Sequence, residues 1–414
     1  MKLANYATRL AKNKDAKTLM GNFSYLIVLQ IAGYVFPLIT LPYLARVIGK
    51  EGFGLIAFAT AIITWIQTIT DWGFNYTATR DVARNRNDVT KVAKIFTDVT
   101  YSRLLLMCVS FVVLLVLTYL IPAFVEMRLL LMVVFLLIPG HILCPEWLFQ
   151  GLERMKYITI LNVVTKTIST GLIFVVIKDK EDYIYQPLLL SAGYVISGCI
   201  ALYVIKKNFG ITIGEFFWKD VKWTIKNSTD VFINTLAPNL YNSFSIILLG
   251  FYGGSIANGI FDAGSKFVSV FIQLFGVISR TFFPFLSRRM DKHAIYTRIS
   301  IILAIVASLL LVALAPVLVS WVFSESFIDS VIVLRILSIS ILFYTISDIY
   351  GKNYLIQVSK EKELRNVTLV SSLIGFTLAF PLVSNYSYVG AAIVVCVTRG
   401  LLAIGSYFMY KNVK

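Results

Sequence analysis

The chain has 414 residues, of which 58% are hydrophobic and 14% are charged, and its mean hydropathy is +0.78. An apolar fraction this large exceeds what the core of a water-soluble domain requires, so the composition excludes a soluble enzyme and indicates a polytopic membrane protein. The net charge of +16 is also high, and the positions of the basic residues decide whether it marks a nucleic-acid-binding protein.

The N-terminal segment, residues 1–18, is polar and basic. No short apolar core with a small-residue cleavage site follows it, so we expect no signal peptide and a first apolar segment that stays in the membrane. Only an α-helix satisfies its own backbone in such a run, and about 20 apolar residues cross a bilayer. The sequence predicts twelve such spans, at residues 21–45, 55–79, 99–121, 128–149, 158–177, 184–205, 229–252, 260–283, 298–322, 329–351, 365–384 and 388–410.

Lysine and arginine are distributed unevenly between the two sides of these spans. If the N-terminus is cytoplasmic, the tails and cytoplasmic connections hold 27 of the 38 Lys and Arg residues, and the outer loops hold five. The positive-inside rule therefore predicts that both termini are cytoplasmic. Because these residues act as topology signals beside anionic lipid, we expect a lipid bilayer as partner and no nucleic acid.

Polar side chains recur at helical spacing within several spans. In the eighth span Asp262, Lys266 and Gln273 share one helical face, and the first two are four residues apart, where they are expected to pair. Such a face must contact protein or water rather than lipid, which indicates a central cavity. The residues expected to line this cavity or to couple an ion are Asp71, Gln67, Asn75, Asn242, Gln273, Asp262 and Asp348.

Further cations lie within predicted spans, where a charge costs at least about 2.5 kcal/mol. Because these cations outnumber the deep carboxylates, we predict a positively charged lumen that suits a phosphate or pyrophosphate group. The alternative is that the charges pair with Asp71, Asp348 or backbone carbonyls and lock helices together. The predicted anion-binding residues are Lys166, Lys266, Arg280, Arg335 and Arg399.

The two halves of the chain show a weak internal repeat. A shift of 205 residues aligns Gly49 with Gly254 and Gly54 with Gly259, so that each half has a glycine turn between its first two spans. The longest connection lies between the halves. The predicted fold is an all-α polytopic membrane protein, with 12 transmembrane helices in two six-helix halves around a central cavity, and the predicted domains are residues 1–207 and 208–414.

Motifs for catalysis are missing from the sequence. It contains no phosphate-binding Gly-x-x-x-x-Gly-Lys-Ser/Thr loop, no metal-ligand cluster and no nucleophile elbow. We therefore predict that the protein is not an enzyme, and we expect no catalytic residue, no metal and no cofactor. The cysteines lie singly within apolar runs, where we expect small hydrophobic side chains and no disulfide.

Three stretches carry a resemblance to a known family. LPYLARVIGKEGFGL (41–55), DWGFNYTATRDVAR (71–84) and PEWLFQGLERMKYI (145–158) resemble signature stretches of the bacterial polysaccharide (O-antigen) flippases, a family in the multidrug/oligosaccharidyl-lipid/polysaccharide exporter superfamily. The length and the twelve spans agree with that family as well.

The resemblance implies a function and a location. Such proteins move an oligosaccharide unit linked to undecaprenyl pyrophosphate across the bacterial inner membrane, by alternating access of two six-helix halves. It also implies coupling to H⁺ or Na⁺ rather than to ATP. A polysaccharide polymerase and a chain-length regulator are the protein partners that the resemblance suggests.

Two other functions stay open from the sequence. A cation-coupled multidrug exporter of the same superfamily would need deep carboxylates for lipophilic cations, and only Asp71 and Asp348 qualify. A membrane-embedded polysaccharide polymerase would carry a large outer loop, and no predicted outer loop is longer than about a dozen residues.

Overall fold

The structure is a computed structural model that describes residues 14–288, 290–358 and 360–413. Within these residues the chain is almost entirely helical and contains no strand, so the predicted all-α class is confirmed. The first part of the basic N-terminal segment, before residue 14, lies outside the described residues.

The described residues of the first half form ten α-helices, and the region from residue 122 to 151 is divided into four short ones. Pro122 begins one of these and Pro145 precedes another, since proline lacks the amide hydrogen that a preceding turn would need. The helices are α1 Lys14–Val47, α2 Gly49–Asp71, α3 Phe74–Arg84, α4 Val89–Leu120, α5 Pro122–Glu126, α6 Arg128–Phe135, α7 Leu137–Leu143, α8 Glu146–Gly151, α9 Met155–Val176 and α10 Tyr185–Phe209.

The second half forms fewer and longer helices. A π-helical segment, Asp348–Leu355, continues from one of them. The helices are α11 Trp218–Leu236, α12 Ser243–Arg288, α13 His293–Val322, α14 Ser330–Ser347 and α15 Glu361–Val413.

Ten segments of the described chain are long and apolar enough to cross a membrane. Two of them, Trp218–Phe283 and Glu361–Val413, contain 66 and 53 residues, at least twice what one crossing needs. Each contains a long helix with one residue at a left-handed φ, 74° at Gly254 in α12 and 50° at Ser387 in α15. Division at these two residues gives twelve spans, the number that the sequence predicts.

The chain doubles back at both interruptions. A Cβ atom added at Gly390 would collide with the carbonyl of Leu382, eight residues earlier, and one added at Gly250 would lie 2.9 Å from the side-chain nitrogen Nδ2 of Asn258. In a continuous helix, residues eight apart are separated by about 12 Å. The interruptions are therefore tight reversals between neighbouring spans rather than bends within one span.

The second span is not the single helix that the sequence predicts over residues 55–79. It breaks at Trp72 and Gly73, whose φ values are 40° and 76°. The Trp72 ring stacks on Phe232 at 3.9 Å, and its indole nitrogen donates to the carbonyl of Ile225 at 3.1 Å. Packing against α11 thus fixes a break that the apolar pattern alone does not indicate.

The described residues divide into two compact units that are discontinuous in sequence. Unit 1 contains residues up to 40, 66–178 and 184–232, and unit 2 contains residues 41–65, 179–183 and 233 onward. The predicted division into residues 1–207 and 208–414 stays a prediction.

Unit 1 has an aromatic core at one end of its helices. Trp147 and Phe149 of α8 pack with Phe74 of α3 and Phe96 of α4, and all four side chains are buried. Gly151 belongs to the same contact, because a Cβ there would lie 2.7 Å from the side chain of Val82. Two of the three signature stretches therefore pack directly on each other.

Unit 2 contains a reciprocal glycine contact between α2 and the second part of α12. A Cβ at Gly54 would collide with the carbonyl of Ser255, and a Cβ at Gly259 would collide with the carbonyl of Lys50. Glycine is therefore required at both positions. Gly54 and Gly259 are the residues that the shift of 205 aligns, so the helices that follow the two glycine turns meet through equivalent positions.

Candidate functional site

The polar residues of unit 1 form two neighbouring groups, and the first is an ion pair. The guanidinium of Arg103 in α4 contacts the carboxylate of Asp71 at the end of α2, and Arg103 is only 4% exposed. The amide of Asn75 lies 3.5 Å from the same carboxylate. Of the two sequence interpretations of Asp71, this geometry favours a residue that locks helices together.

The second group of unit 1 joins α8 to α9. Asn162 donates to the Glu146 carboxylate at 2.8 Å, and Asn162 is buried. Lys166, one turn further along α9, is half-buried, and its ammonium lies 3.9 Å from the position of a Cβ on Gly33 of α1. A Cβ at residue 33 would be in ordinary van der Waals contact with this ammonium, so α1 is a close neighbour of the only lysine within α9 beyond its first turn. Gln67 of α2, which the sequence predicts to line the cavity, is half-buried.

In unit 2 the polar stripe of α12 is present as predicted. Lys266 and Asp262 form an ion pair at 3.1 Å, which confirms the pairing that their spacing indicates. Gln273 is exposed, and so is Arg280, whose Nε donates to the carbonyl of Gly276 at 3.2 Å. Because Lys266 is 41% exposed while Asp262 is only 14% exposed, the cation rather than the carboxylate faces outward.

A buried polar cluster surrounds the π-helical segment of unit 2. Asp348 is buried and pairs with Lys352 at 3.1 Å. Asn353 is fully buried and donates to Asp348 at 3.1 Å and to Ser279 of α12 at 2.8 Å. Lys352 also lies over the ring of Tyr344, 5.4 Å from its centre. The cluster therefore holds Lys352 at a fixed point while leaving its side chain exposed.

The remaining predicted residues of unit 2 differ in their surroundings. Arg399 of α15 donates to the Ser340 hydroxyl at 2.8 Å and is half-buried, whereas Arg335 of α14 is exposed. Asn242 donates to the carbonyl of Pro238, one turn earlier in its own segment, at 3.1 Å. Asn242 therefore satisfies its own backbone in this structure.

The predicted anion-binding residues are thus distributed over both units. Lys166 belongs to unit 1, and the other four belong to unit 2. Lys352 is not among the predicted residues, because it follows the predicted tenth span and counts there as a cytoplasmic topology signal. The signal that would have found it is its spacing of four from Asp348. The shared lumen stays a prediction.

Comparison with known proteins identifies the family. A family model described as "Polysaccharide biosynthesis protein" matches residues 19–290. The chain is a member of the polysaccharide biosynthesis protein family.

Two curated relatives of this family member are each named "Putative O-antigen transporter". The protein from Escherichia coli (strain K12) is 28% identical, with 97% of this chain and 99% of the relative covered. The protein from Shigella dysenteriae is 29% identical, with 95% and 99% covered.

Solved structures place this polysaccharide biosynthesis protein in a known fold. A structure titled "Lipid II flippase MurJ, inward closed conformation" matches with a TM-score of 0.74 at 12% identity, over 95% of this chain and 87% of that one. A multidrug resistance MATE family transporter in an inward-facing conformation matches with a TM-score of 0.68 at 14% identity, over 94% and 97%. At these identities the likeness establishes a shared fold.

Proposed function

We propose that this protein translocates an oligosaccharide unit, linked to undecaprenyl pyrophosphate, from the inner to the outer leaflet of the bacterial inner membrane. The observation that carries the proposal is the set of exposed cations in apolar helices of unit 2, of which Lys266 and Arg335 lie well inside predicted spans. The names of the two O-antigen transporter relatives support the same substrate class.

The chemistry of such a substrate explains why these cations are needed. Lipid accepts the polyprenyl tail and rejects the sugar and pyrophosphate, so a carrier has to supply charge-assisted hydrogen bonds to the phosphates while the tail stays in lipid. Lys266 is suited to this role, because Asp262 fixes its position at 3.1 Å while its ammonium keeps further donors free to bind an anion. Arg280, on the same helix, adds a planar guanidinium.

The remaining parts of the proposal concern energy and partners. We propose H⁺ or Na⁺ as the coupling ion and Asp348 as the carboxylate that binds it. Asp348 is buried, and it loses its ion-pair partner if Lys352 moves to a phosphate. A polysaccharide polymerase and a chain-length regulator are the proposed protein partners, and both termini are proposed to be cytoplasmic.

Deletion of the gene tests the function. The expected result is loss of surface polysaccharide, with complete single repeat units on polyprenyl pyrophosphate left on the inner leaflet of membrane vesicles. Normal surface polymer would contradict the proposal. Single units stranded on the outer leaflet would instead indicate a polymerase, because translocation would then have occurred before the block.

The cation mechanism has its own test. Lys266→Gln is expected to reduce surface polysaccharide several-fold at an unchanged membrane level of the protein. Since this change leaves Asp262 without its partner, the double variant Asp262→Asn, Lys266→Gln removes both charges and separates anion binding from stability. Lys362→Gln, at an exposed lysine at the start of α15, is the matched control. Full polymer from the double variant would exclude Lys266 from substrate binding.

The likeness to a MATE family transporter supports a second candidate function, which is the export of lipophilic cations. Resistance to cationic dyes that depends on the gene, together with normal polysaccharide in the deletion strain, would favour that function. The exposed cations of α12 argue against it, because they repel a positively charged substrate.

A further inference from the structure

The segment that joins the two sequence halves carries an unusual concentration of exposed aromatic residues. We define the linker as residues 210–226. Its large side chains are at least half exposed at Phe216, Phe217, Trp218 and Trp223, and Trp223 reaches 62%. Large aromatic side chains are costly in water when several of them are exposed next to each other along the chain and on one helical turn. Their exposure therefore calls for a partner.

The linker is held firmly against unit 1, so this exposure is not a consequence of a free loop. The amide of Gly214 donates to the Thr97 hydroxyl at 2.9 Å, and the carbonyl of Gly214 accepts from the Tyr101 hydroxyl at 3.2 Å. Asp220 forms an ion pair with Lys94. All three contacts are made with α4, and they fix which face of the linker points away from the protein.

The position of these contacts along α4 gives the depth of the linker. Lys91, Lys94 and Asp98 are the charged residues at the beginning of this helix, and from residue 99 to its end the only charge is the buried Arg103. Gly214 is hydrogen-bonded to one residue before and one residue after the point where α4 changes from polar to apolar. The linker therefore lies at the level where a span leaves hydrocarbon and enters the headgroup region.

The charges of the linker share the exposed face with its aromatic groups. In the first turns of α11, Val221 and Thr224 are buried against the protein, and the residues on the opposite side are exposed. That exposed side combines Trp223 with the lysines Lys219, Lys222 and Lys226. The neighbouring end of α10 adds exposed Lys206 and Lys207, and Glu215 is the exposed carboxylate of the linker.

We propose that the exposed face of the linker is a binding surface for anionic phospholipid, with its tryptophans inserted at the headgroup level and its lysines paired with lipid phosphates. Tryptophan beside lysine is the composition of an interfacial helix, and each lysine near an anionic membrane surface contributes to the attraction. The excess of positive charge on this face selects anionic over zwitterionic lipid. This proposal does not depend on the substrate of the protein.

Insertion of the tryptophans is tested by fluorescence. The full-length protein is reconstituted in bilayers of phosphatidylcholine and phosphatidylglycerol that carry bromine atoms near the headgroup. The wild-type protein is expected to lose more fluorescence than the Trp218→Phe, Trp223→Phe variant, because bromine quenches tryptophans that it contacts. Equal fractional quenching of the two proteins would overturn the proposal, and so would protection of these tryptophans by a copurifying protein.

Selection of anionic lipid is tested with spin-labelled phosphatidylglycerol and spin-labelled phosphatidylcholine. In the variant Lys219→Gln, Lys222→Gln, Lys226→Gln we expect the preference for phosphatidylglycerol to fall by up to about fivefold for each lysine at low salt. Half-molar salt is expected to abolish the preference in the wild-type protein. The control variant, Lys362→Gln, Lys411→Gln, changes two exposed lysines outside the linker. An unchanged preference in the linker variant, or an equal loss in the control, would contradict the proposal.

Discussion

At the scale of single residues, the ion pair between Asp71 and Arg103 shows how the chain tolerates charge within an apolar segment. Arg103 is almost fully buried, and its guanidinium has Asp71 as its counter-charge. A buried pair of this kind contributes little compared with apolar residues of the same volume, but the loss of one partner leaves an isolated charge. Its expected role is to fix the position of α4 against α2.

A double-mutant cycle tests this role. Asp71→Leu and Arg103→Leu are each expected to lower the free energy of unfolding by about 3–5 kcal/mol, and the double variant is expected to lose less than either. The measurement is thermal unfolding of the purified protein in detergent. Lys360→Gln, in the exposed pair with Glu363 at 3.2 Å, is the control and is expected to cost at most about 1 kcal/mol. Additive losses in the double variant would show that the two charges do not stabilise each other.

At this scale, the sequence predicts the partner of a charged residue only when the two residues are close together along the chain. The pairing of Lys266 with Asp262 was predictable, because four residues separate them on one helix. The choice of Arg103 as the partner of Asp71 was not predictable, because 32 residues separate the two and only the packing of α4 on α2 brings them together. Lys352 was missed because a π-helical segment extends the tenth span beyond its apolar pattern.

At the scale of elements, the reciprocal contact of Gly54 and Gly259 brings two helix backbones together without side chains between them. Gly49 and Gly254, which precede these residues by five positions, both have a left-handed φ, at 66° and 74°. Equivalent positions of the weak repeat therefore share a positive φ. The sequence predicted the two glycine turns, while the contact between them required the structure.

Alanine substitutions separate the glycines that packing requires from those that it does not. Gly54→Ala is expected to lower the free energy of unfolding by about 1–3 kcal/mol, because its Cβ forces α2 away from the backbone of α12. Gly171→Ala is the matched control, since nothing lies within 4 Å of a Cβ there and alanine favours a helix by up to about 1 kcal/mol. Thermal unfolding measures both. An equal response of the two variants would contradict the close contact.

The breaks between elements were the least predictable part of the fold. Apolar composition correctly indicated the spans, because a bilayer demands long apolar helices. It did not indicate the break at Trp72 and Gly73, since tryptophan is apolar and the break depends on its stack with Phe232. Nor did it indicate that α12 and α15 reverse within one residue, where a connection of several residues was expected.

At the scale of the whole molecule, twelve spans require both termini to lie on the same side of the membrane. The distribution of Lys and Arg decides which side, and it favours the cytoplasm for both. The linker, residues 210–226, follows the sixth span and is expected on that side as well. This orientation stays a prediction.

Reporter fusions test the orientation. A green fluorescent protein is expected to fluoresce after residue 413 and when inserted at residue 216, and alkaline phosphatase is expected to be active at residue 180 but inactive at the other two positions. The reason is that each reporter works on only one side of the inner membrane. Active phosphatase after residue 413 would mean an odd number of crossings or an inverted protein.

The reversals at Gly254 and Ser387 also determine how much extended chain the protein exposes on one face of the membrane. Four spans lie between them, so both are on the same face of the membrane, and each turns the chain without an extended connecting segment. Proteases and antibodies against unfolded peptides recognise extended, accessible chain at loop tips. At these two positions the protein offers only closely packed helix ends, so we expect both reversals to resist limited proteolysis.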